Sequence, residues 1–140
     1  MDDNKLYFAI AILVIALIFA FTYYKHTTYK SSDNNNMLEI KSTTFDKYVK
    51  NRKQNIMVEY YAPWCKFCKE LVPTYEKLHN KYKQNKSVRI AKLDATKHKV
   101  PEQINSYPTI IFYPKHGQSH KYEGVRNVET MAKFIEEHKN

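Results

Sequence analysis

Glycine is scarce in this chain, two in 140 residues, and cysteine is equally scarce. The two cysteines, Cys65 and Cys68, stand three positions apart. A disulfide scaffold shows several cysteines spread along a short chain, so that class is excluded. A bridge between these two closes only a tiny loop and removes little chain entropy. Stability must come from an ordinary hydrophobic core, which leaves the pair free for chemistry. Arginine is limited to Arg52, Arg89 and Arg126, and lysine dominates a formal net charge of +9. The lysines are scattered, with no dense basic run. That pattern reads as solubility and weak steering, and no nucleic-acid partner is expected. No internal repeat is present. The bias toward Lys, Asn, Tyr and Ile says nothing about mechanism.

The length suits one compact domain plus an appendage. Residues 1–36 hold Asp2, Asp3 and Asp33 against Lys5, Lys25 and Lys30, so all the excess charge falls on residues 37–140. Leu6 to Phe21 is apolar without a charge, and Thr22, Tyr23 and Tyr24 extend the run to the stop at Lys25. At ~1.5 Å rise per residue, residues 6–24 reach roughly 28 Å, close to the ~30 Å hydrocarbon core. Tyrosines at the end of the run suit the headgroup level. A cleaved signal peptide has a shorter apolar region and a small-residue cut, and no Ala-x-Ala follows here. A buried core helix does not fit, because apolar residues occupy every face. The run therefore predicts one N-terminal transmembrane helix at 6–24, after a tail at 1–5 and before a polar tether at 25–36. A folded domain is expected at 37–140.

That domain alternates. Leu38-Glu39-Ile40 reads as a short strand. Thr43 or Thr44 is expected to cap a helix carrying Phe45, Tyr48 and Val49. Ile56 to Ala62 is a β-rich apolar run. Cys65 to about Asn85 has helical spacing, interrupted by Pro73. Val88 to Leu93 reads as a strand and Pro101 to Asn105 as a short helix. Thr109 to Tyr113 and Ser119 to Tyr122 are strands around a turn, and Val128 to His138 is a closing helix. The expected order is βαβαβαββα, an α/β fold.

Cys65-Lys66-Phe67-Cys68 follows the apolar strand and opens a helix. Unpaired backbone N–H groups at a helix start favour a thiolate, and Lys66 adds a nearby positive charge. Cys68 lies one turn deeper, where it can reach the Cys65 sulfur and resolve a mixed disulfide. Two other readings compete. With His116 and His120 the pair supplies four zinc ligands, although the gap to His116 is far longer than a zinc finger uses. Inert buried thiols are the second, against which Trp64, Lys66 and Lys69 argue for an exposed, electropositive site.

The stretch Val58-Glu59-Tyr60-Tyr61-Ala62-Pro63-Trp64-Cys65-Lys66-Phe67-Cys68-Lys69 resembles the active-site strand and helix start of protein disulfide isomerase catalytic domains, within the thioredoxin superfamily. Leu71, Pro73, Tyr75 and Glu76 continue the likeness. Tyr107-Pro108-Thr109 resembles the family's cis-proline segment, and Tyr122-Glu123-Gly124-Val125-Arg126 its late Tyr-x-Gly-x-Arg motif. The resemblance implies a thioredoxin fold, a central mixed β-sheet flanked by helices. It implies thiol–disulfide exchange with client proteins and an upstream redox partner protein, with no organic cofactor and no metal. It implies Cys65 as nucleophile, Cys68 as resolving thiol, Glu59 as buried proton acceptor and Arg126 as a modulator of Cys68. A surface glutamate and a solvated arginine are the plainer readings of those last two.

Trp64, Tyr107, Pro108 and Thr109 would form the client-binding face, with the Tyr107 backbone exposed for strand-like pairing. Phe67 departs from the pattern: isomerases carry histidine there and thioredoxins proline. Lys66 replaces glycine. These two residues would tune the thiolate and leave the direction of catalysis open. A client-binding module with little redox turnover is the alternative function. The positive-inside count is nearly tied, and the isomerase likeness favours a lumenal or exoplasmic domain on an ER-type membrane. Asn85-Lys86-Ser87 is an N-glycosylation sequon, expected in a loop. The ending His138-Lys139-Asn140 is not an ER-retention signal.

Overall fold

The computed structural model of the chain describes residues 3–27 and 36–140. It divides into two compact units, Met1–Asn35 and Asn36–Asn140.

The first unit carries α1, Asp3–Thr27. Nothing in Tyr23 to Thr27 is a helix breaker, and the helix runs on through Lys25, His26 and Thr27, which the sequence suggested as tether. Every side chain at positions 10–22 is exposed. Among the described residues, no helix is long and apolar enough to cross a membrane. The transmembrane span expected at residues 6–24 is therefore not borne by the described residues. Most of the expected tether, residues 28–35, lies outside them.

The second unit runs β1 (Leu38–Glu39), α2 (Ser42–Phe45) continuing as a π-helical turn (Asp46–Lys50), β2 (Asn55–Tyr61), α3 (Lys66–Tyr82), β3 (Val88–Asp94), β4 (Thr109–Tyr113), β5 (His120–Lys121) and α4 (Val128–His138). The sheet order is β1-β3-β2-β4-β5. The first three strands are parallel, and β4 and β5 are antiparallel to their neighbours. A parallel pair needs a crossover, and α3 supplies it between β2 and β3.

Strand alternation sorts the core to two faces. Met57, Val88, Ile90, Ile110 and Phe112 pack with Leu71, Tyr75 and Leu78 of α3 and Met131 and Ile135 of α4. Ile56, Val58, Tyr60, Ala91, Leu93 and Tyr113 pack with Ile40, Phe45 and Val49 on the opposite face. Glu59 is two residues from Met57 and shares its face, so its carboxyl belongs to the α3 side.

Two local expectations are corrected. The first helix is capped at Lys41, not at Thr43 or Thr44; Thr44 instead accepts the Lys41 N–H on its hydroxyl at 3.0 Å. Pro101 to Asn105 forms no helix, and residues 95–108 are irregular. Five residues offer a single hydrogen-bonded turn, which is costly to nucleate. Val100 and Ile104 meanwhile are drawn down onto the core beside Ala95.

Candidate active site

Strand β2 ends at Tyr61 and α3 starts at Lys66. Ala62, Pro63, Trp64 and Cys65 make the turn between them, closed by Cys65 N–H donating to the Ala62 carbonyl at 3.0 Å. Cys65 is thereby the N-cap of α3. Its extended backbone turns the thiol back over the helix start, where Sγ accepts the Cys68 N–H at 3.3 Å. This is the one-turn geometry the spacing implied. A helix start offers orphan N–H donors, and here one of them is spent on sulfur. Both cysteines are free thiols.

They are not exposed: Cys65 is 6% accessible and Cys68 4%. The expected open thiol is corrected on this point, because capping draws the Cys65 side chain inward. There it packs with Ala62, Cys68, Tyr61 and Tyr107. What projects outward are Trp64 at 72% and Phe67 at 61%. Lys66 also points away, its ammonium 3.8 Å from Glu70 Oε1.

The Tyr107–Pro108 peptide is cis. The Tyr107 carbonyl lies 3.5 Å from Cys65 Sγ and accepts a hydrogen bond from the thiol. The Tyr107 ring meets Trp64 edge to face with centroids 5.8 Å apart. Thr109 is buried, its hydroxyl donating to Ser106 O at 2.7 Å, which pins the turn before β4. Arg126 donates to the Pro108 carbonyl at 3.4 Å. Its segment is shaped by Tyr122, whose hydroxyl bonds the Val125 carbonyl and, at 2.9 Å, the Thr130 hydroxyl. Glycine at 124 leaves room for this ring, since a Cβ there would stand 2.7 Å from the Tyr122 hydroxyl oxygen and force the ring to shift.

Glu59 is 4% accessible. Burial raises its pKa to about 7, opposed by the nearby charges of Lys92 and Arg126. Burial also pushes the Cys68 thiol up to about 12, helped by its hydrogen bond to Cys65 and by the Cys65 and Glu59 charges, and opposed by a hydrogen bond to the Ala62 backbone. Glu59, Cys68 and Lys92 line one cleft of about 140 Å³, together with Tyr61, Pro63, Lys69 and Val72. Its volume and polar groups suit a water molecule.

Lys92 was missed by sequence reasoning. It faces Glu59 across β2 and β3, with its ammonium 5.8 Å from the Tyr61 ring centroid. The signal was present as a lysine two residues after Ile90, on the core-facing side of a strand that also holds Arg89 and Asp94. His116 and His120 take no part in this site. Among the described residues, no three His, Cys, Asp or Glu side chains gather to hold a metal.

Residues 36–137 match the family described as thioredoxin. The chain belongs to the thioredoxin family. Its thioredoxin domain is 45% identical over 101 residues to human protein disulfide-isomerase A4, covering 68% of this chain and 16% of that one. It is 43% identical over 98 residues to rice protein disulfide isomerase-like 2-1, covering 67% and 27% respectively. The chain thus spans about a quarter or less of those relatives. The first thioredoxin domain of mouse protein disulfide-isomerase A4, solved in solution, superposes with a TM-score of 0.65 at 33% identity, covering 76% of this chain and 77% of that one. The thioredoxin fold, with its mixed sheet flanked by helices, is thereby established for residues 36–137.

Proposed function

We propose that this thioredoxin domain is a thiol–disulfide oxidoreductase of the protein disulfide isomerase kind, acting on client proteins through Cys65 and Cys68. The observation that carries the reading is Cys65 Sγ at the N-cap of α3, 3.3 Å from the Cys68 N–H, with Glu59 buried in the cleft beside Cys68.

In the reductive direction, the Cys65 thiolate attacks one sulfur of a client disulfide. The client S–S bond breaks, its other sulfur leaves as a thiolate, and a mixed disulfide forms. Cys68 must then lose its proton, which burial opposes. Glu59, poised near neutrality, accepts it through water in the cleft. The Cys68 thiolate attacks Cys65 Sγ and releases the client thiol. Two electrons pass to the client, and the domain keeps the disulfide. Oxidation of a client dithiol is the same sequence reversed. An upstream redox protein resets the pair, and the chemistry draws on no organic cofactor or metal.

Trp64, Tyr107, Pro108 and Thr109 receive the client, and Arg126 adds positive charge near Cys68 when the Glu59 proton moves. Phe67 and Lys66 set the potential. Residues 37–140 act as the catalytic domain, and residues 6–24 hold it to a membrane through the polar segment 25–36, whose first three residues continue the helix. Support for attachment comes from the uncharged run Leu6 to Phe21 and from the exposed apolar side chains between Ile10 and Phe21. The isomerase relatives favour a lumenal or exoplasmic side. A client-holding module with little turnover is the second reading, favoured by the exposed Trp64 and Phe67 beside the thiols.

Cys68→Ala separates them. Reproducible clients trapped covalently on Cys65 are expected. Unchanged client binding after removal of both cysteines, with no redox turnover in the parent, would instead establish the holding module.

A further inference from the structure

Asn85, Lys86 and Ser87 connect α3 to β3, and all three are exposed. They are the only Asn-x-Ser/Thr triplet in the sequence. The Asn85 side-chain oxygen accepts three hydrogen bonds: from Ser87 N–H at 2.8 Å, Ser87 Oγ at 2.9 Å and Val88 N–H at 3.0 Å. These bonds close the turn and hold the serine hydroxyl against the asparagine amide. The amide nitrogen donates to no protein acceptor among the described residues.

We propose that Asn85 is an N-glycan attachment site. The inference rests on the lumenal placement proposed above. The co-reactant class is an oligosaccharide linked to a polyprenyl diphosphate, delivered by a membrane transferase. A bond forms between Asn85 Nδ2 and the first sugar's anomeric carbon. The bond from that carbon to the diphosphate oxygen breaks, the diphosphate leaves with its electron pair, and Nδ2 gives up one proton. No oxidation or reduction occurs.

Two features make the folded domain compatible with the product. Glycosylation changes Nδ2 and leaves Oδ1 intact, so all three turn bonds survive it. The site also lies far from the chemistry. Cys65 caps the start of α3 and Asn85 follows its end, and 17 residues of helix separate the two by roughly 25 Å. A glycan there leaves Trp64 and the dithiol open to clients. It does cover the mouth of the cleft between Asn36, Lys83 and Arg89, which Asn85 lines.

The test produces the full chain in a eukaryotic secretory cell and follows its gel mobility with and without peptide N-glycosidase. Asn85→Gln and Ser87→Ala are two independent variants. A control combines Asn85→Gln with Gly117→Asn, which puts a second acceptor sequence before Gln118 and Ser119 in the exposed β4–β5 turn; an added Cβ meets nothing within 4 Å there, the φ of +95° is one that asparagine tolerates better than most side chains, and a denaturation curve on the control verifies that it folds. The expected result is one glycosidase-sensitive shift in the parent, lost in both single variants and regained in the control. A shifted control beside an unshifted parent would overturn the Asn85 site while keeping the lumenal placement. An unshifted parent and an unshifted control would overturn both.

Discussion

Glu59 and Lys92 are register partners on β2 and β3, and both line the cleft that reaches Cys68. The carboxyl is raised by burial, and Lys92 is the larger of the two charges that limit the rise. A proton acceptor in the resolving step needs that balance. A free carboxylate would be too weak a base, and an unopposed buried one would stay protonated.

This balance makes stability depend on pH. The Glu59 carboxyl goes from 4.5 in its ordinary state to about 7 in the fold. Between those values the folded state binds the proton that the unfolded chain has lost. Stability from this group is complete below about pH 4.5, falls as pH rises toward 7 and is flat above. The total is on the order of 3 kcal/mol. Asp94 and Glu136, whose values are depressed, act in the opposite sense and at lower pH. Urea denaturation at pH 5 and pH 8 should show the parent weaker at pH 8, and Glu59→Gln without that loss but slower in client release. Equal pH slopes in the two proteins would remove the assignment.

Phe67 stands beside the dithiol with no charge to offer, and its ring is exposed. Phe67→His places a protonatable imidazole near a sulfur that ionises on reduction. The reduced form gains, and the disulfide becomes more oxidising. A tenfold change in the equilibrium with glutathione, about 30 mV, is the expected size. An unchanged or lower potential would count against electrostatic control at this position.

Gly124→Ala drives a methyl into the Tyr122 hydroxyl. Tyr122 must move, releasing the Val125 carbonyl and the Thr130 hydroxyl. A loss of about 1–3 kcal/mol is expected in denaturant melts. The double variant with Tyr122→Phe, which removes the nearest clashing atom and leaves the ring carbon Cζ at 2.9 Å, should cost less than the sum of the two single changes.

Asn55 is 1% accessible and joins three segments. Its amide donates to the carbonyls of Ser87 and Asn140, both at 2.9 Å, and its oxygen accepts from Lys115 N–H at 2.8 Å and Asn140 N–H at 3.2 Å. Asn55→Ala leaves the Lys115 and Asn140 N–H groups and the Asn140 carbonyl, all part-buried, without this partner, while the Ser87 carbonyl keeps the Asn55 N–H; a loss of about 1–3 kcal/mol follows. The potential of the dithiol, at the other end of β2, should not move. A redox assay and a denaturation curve on the same variant check both statements.

Much of this was legible in the sequence, for identifiable reasons. Strands β2 and β4 and helix α4 announce themselves by local apolar spacing, and the structure places them within a residue of expectation. The dithiol and the helix it opens are one continuous segment, so spacing alone conveyed their geometry. Other features depend on partners distant in the chain. Asn55 is bound to Asn140, and Glu59 is balanced by Lys92, across a register that no single segment encodes. The burial of Cys65 depends on Tyr107, which only the fold brings near. The irregular path of residues 95–108 is set by where Val100 and Ile104 find the core, an outcome local propensity does not contain.

The two outer strands of the sheet, β1 and β5, are each two residues long. A long bare edge is a template on which foreign chains grow. A protein whose proposed work is to handle other proteins before they are finished meets such chains constantly. Here the outermost strands offer only two residues each to extend. The proposed client contact lies instead at the Tyr107 turn, beside the thiols. On the function proposed above, edges this short would limit aggregation with clients.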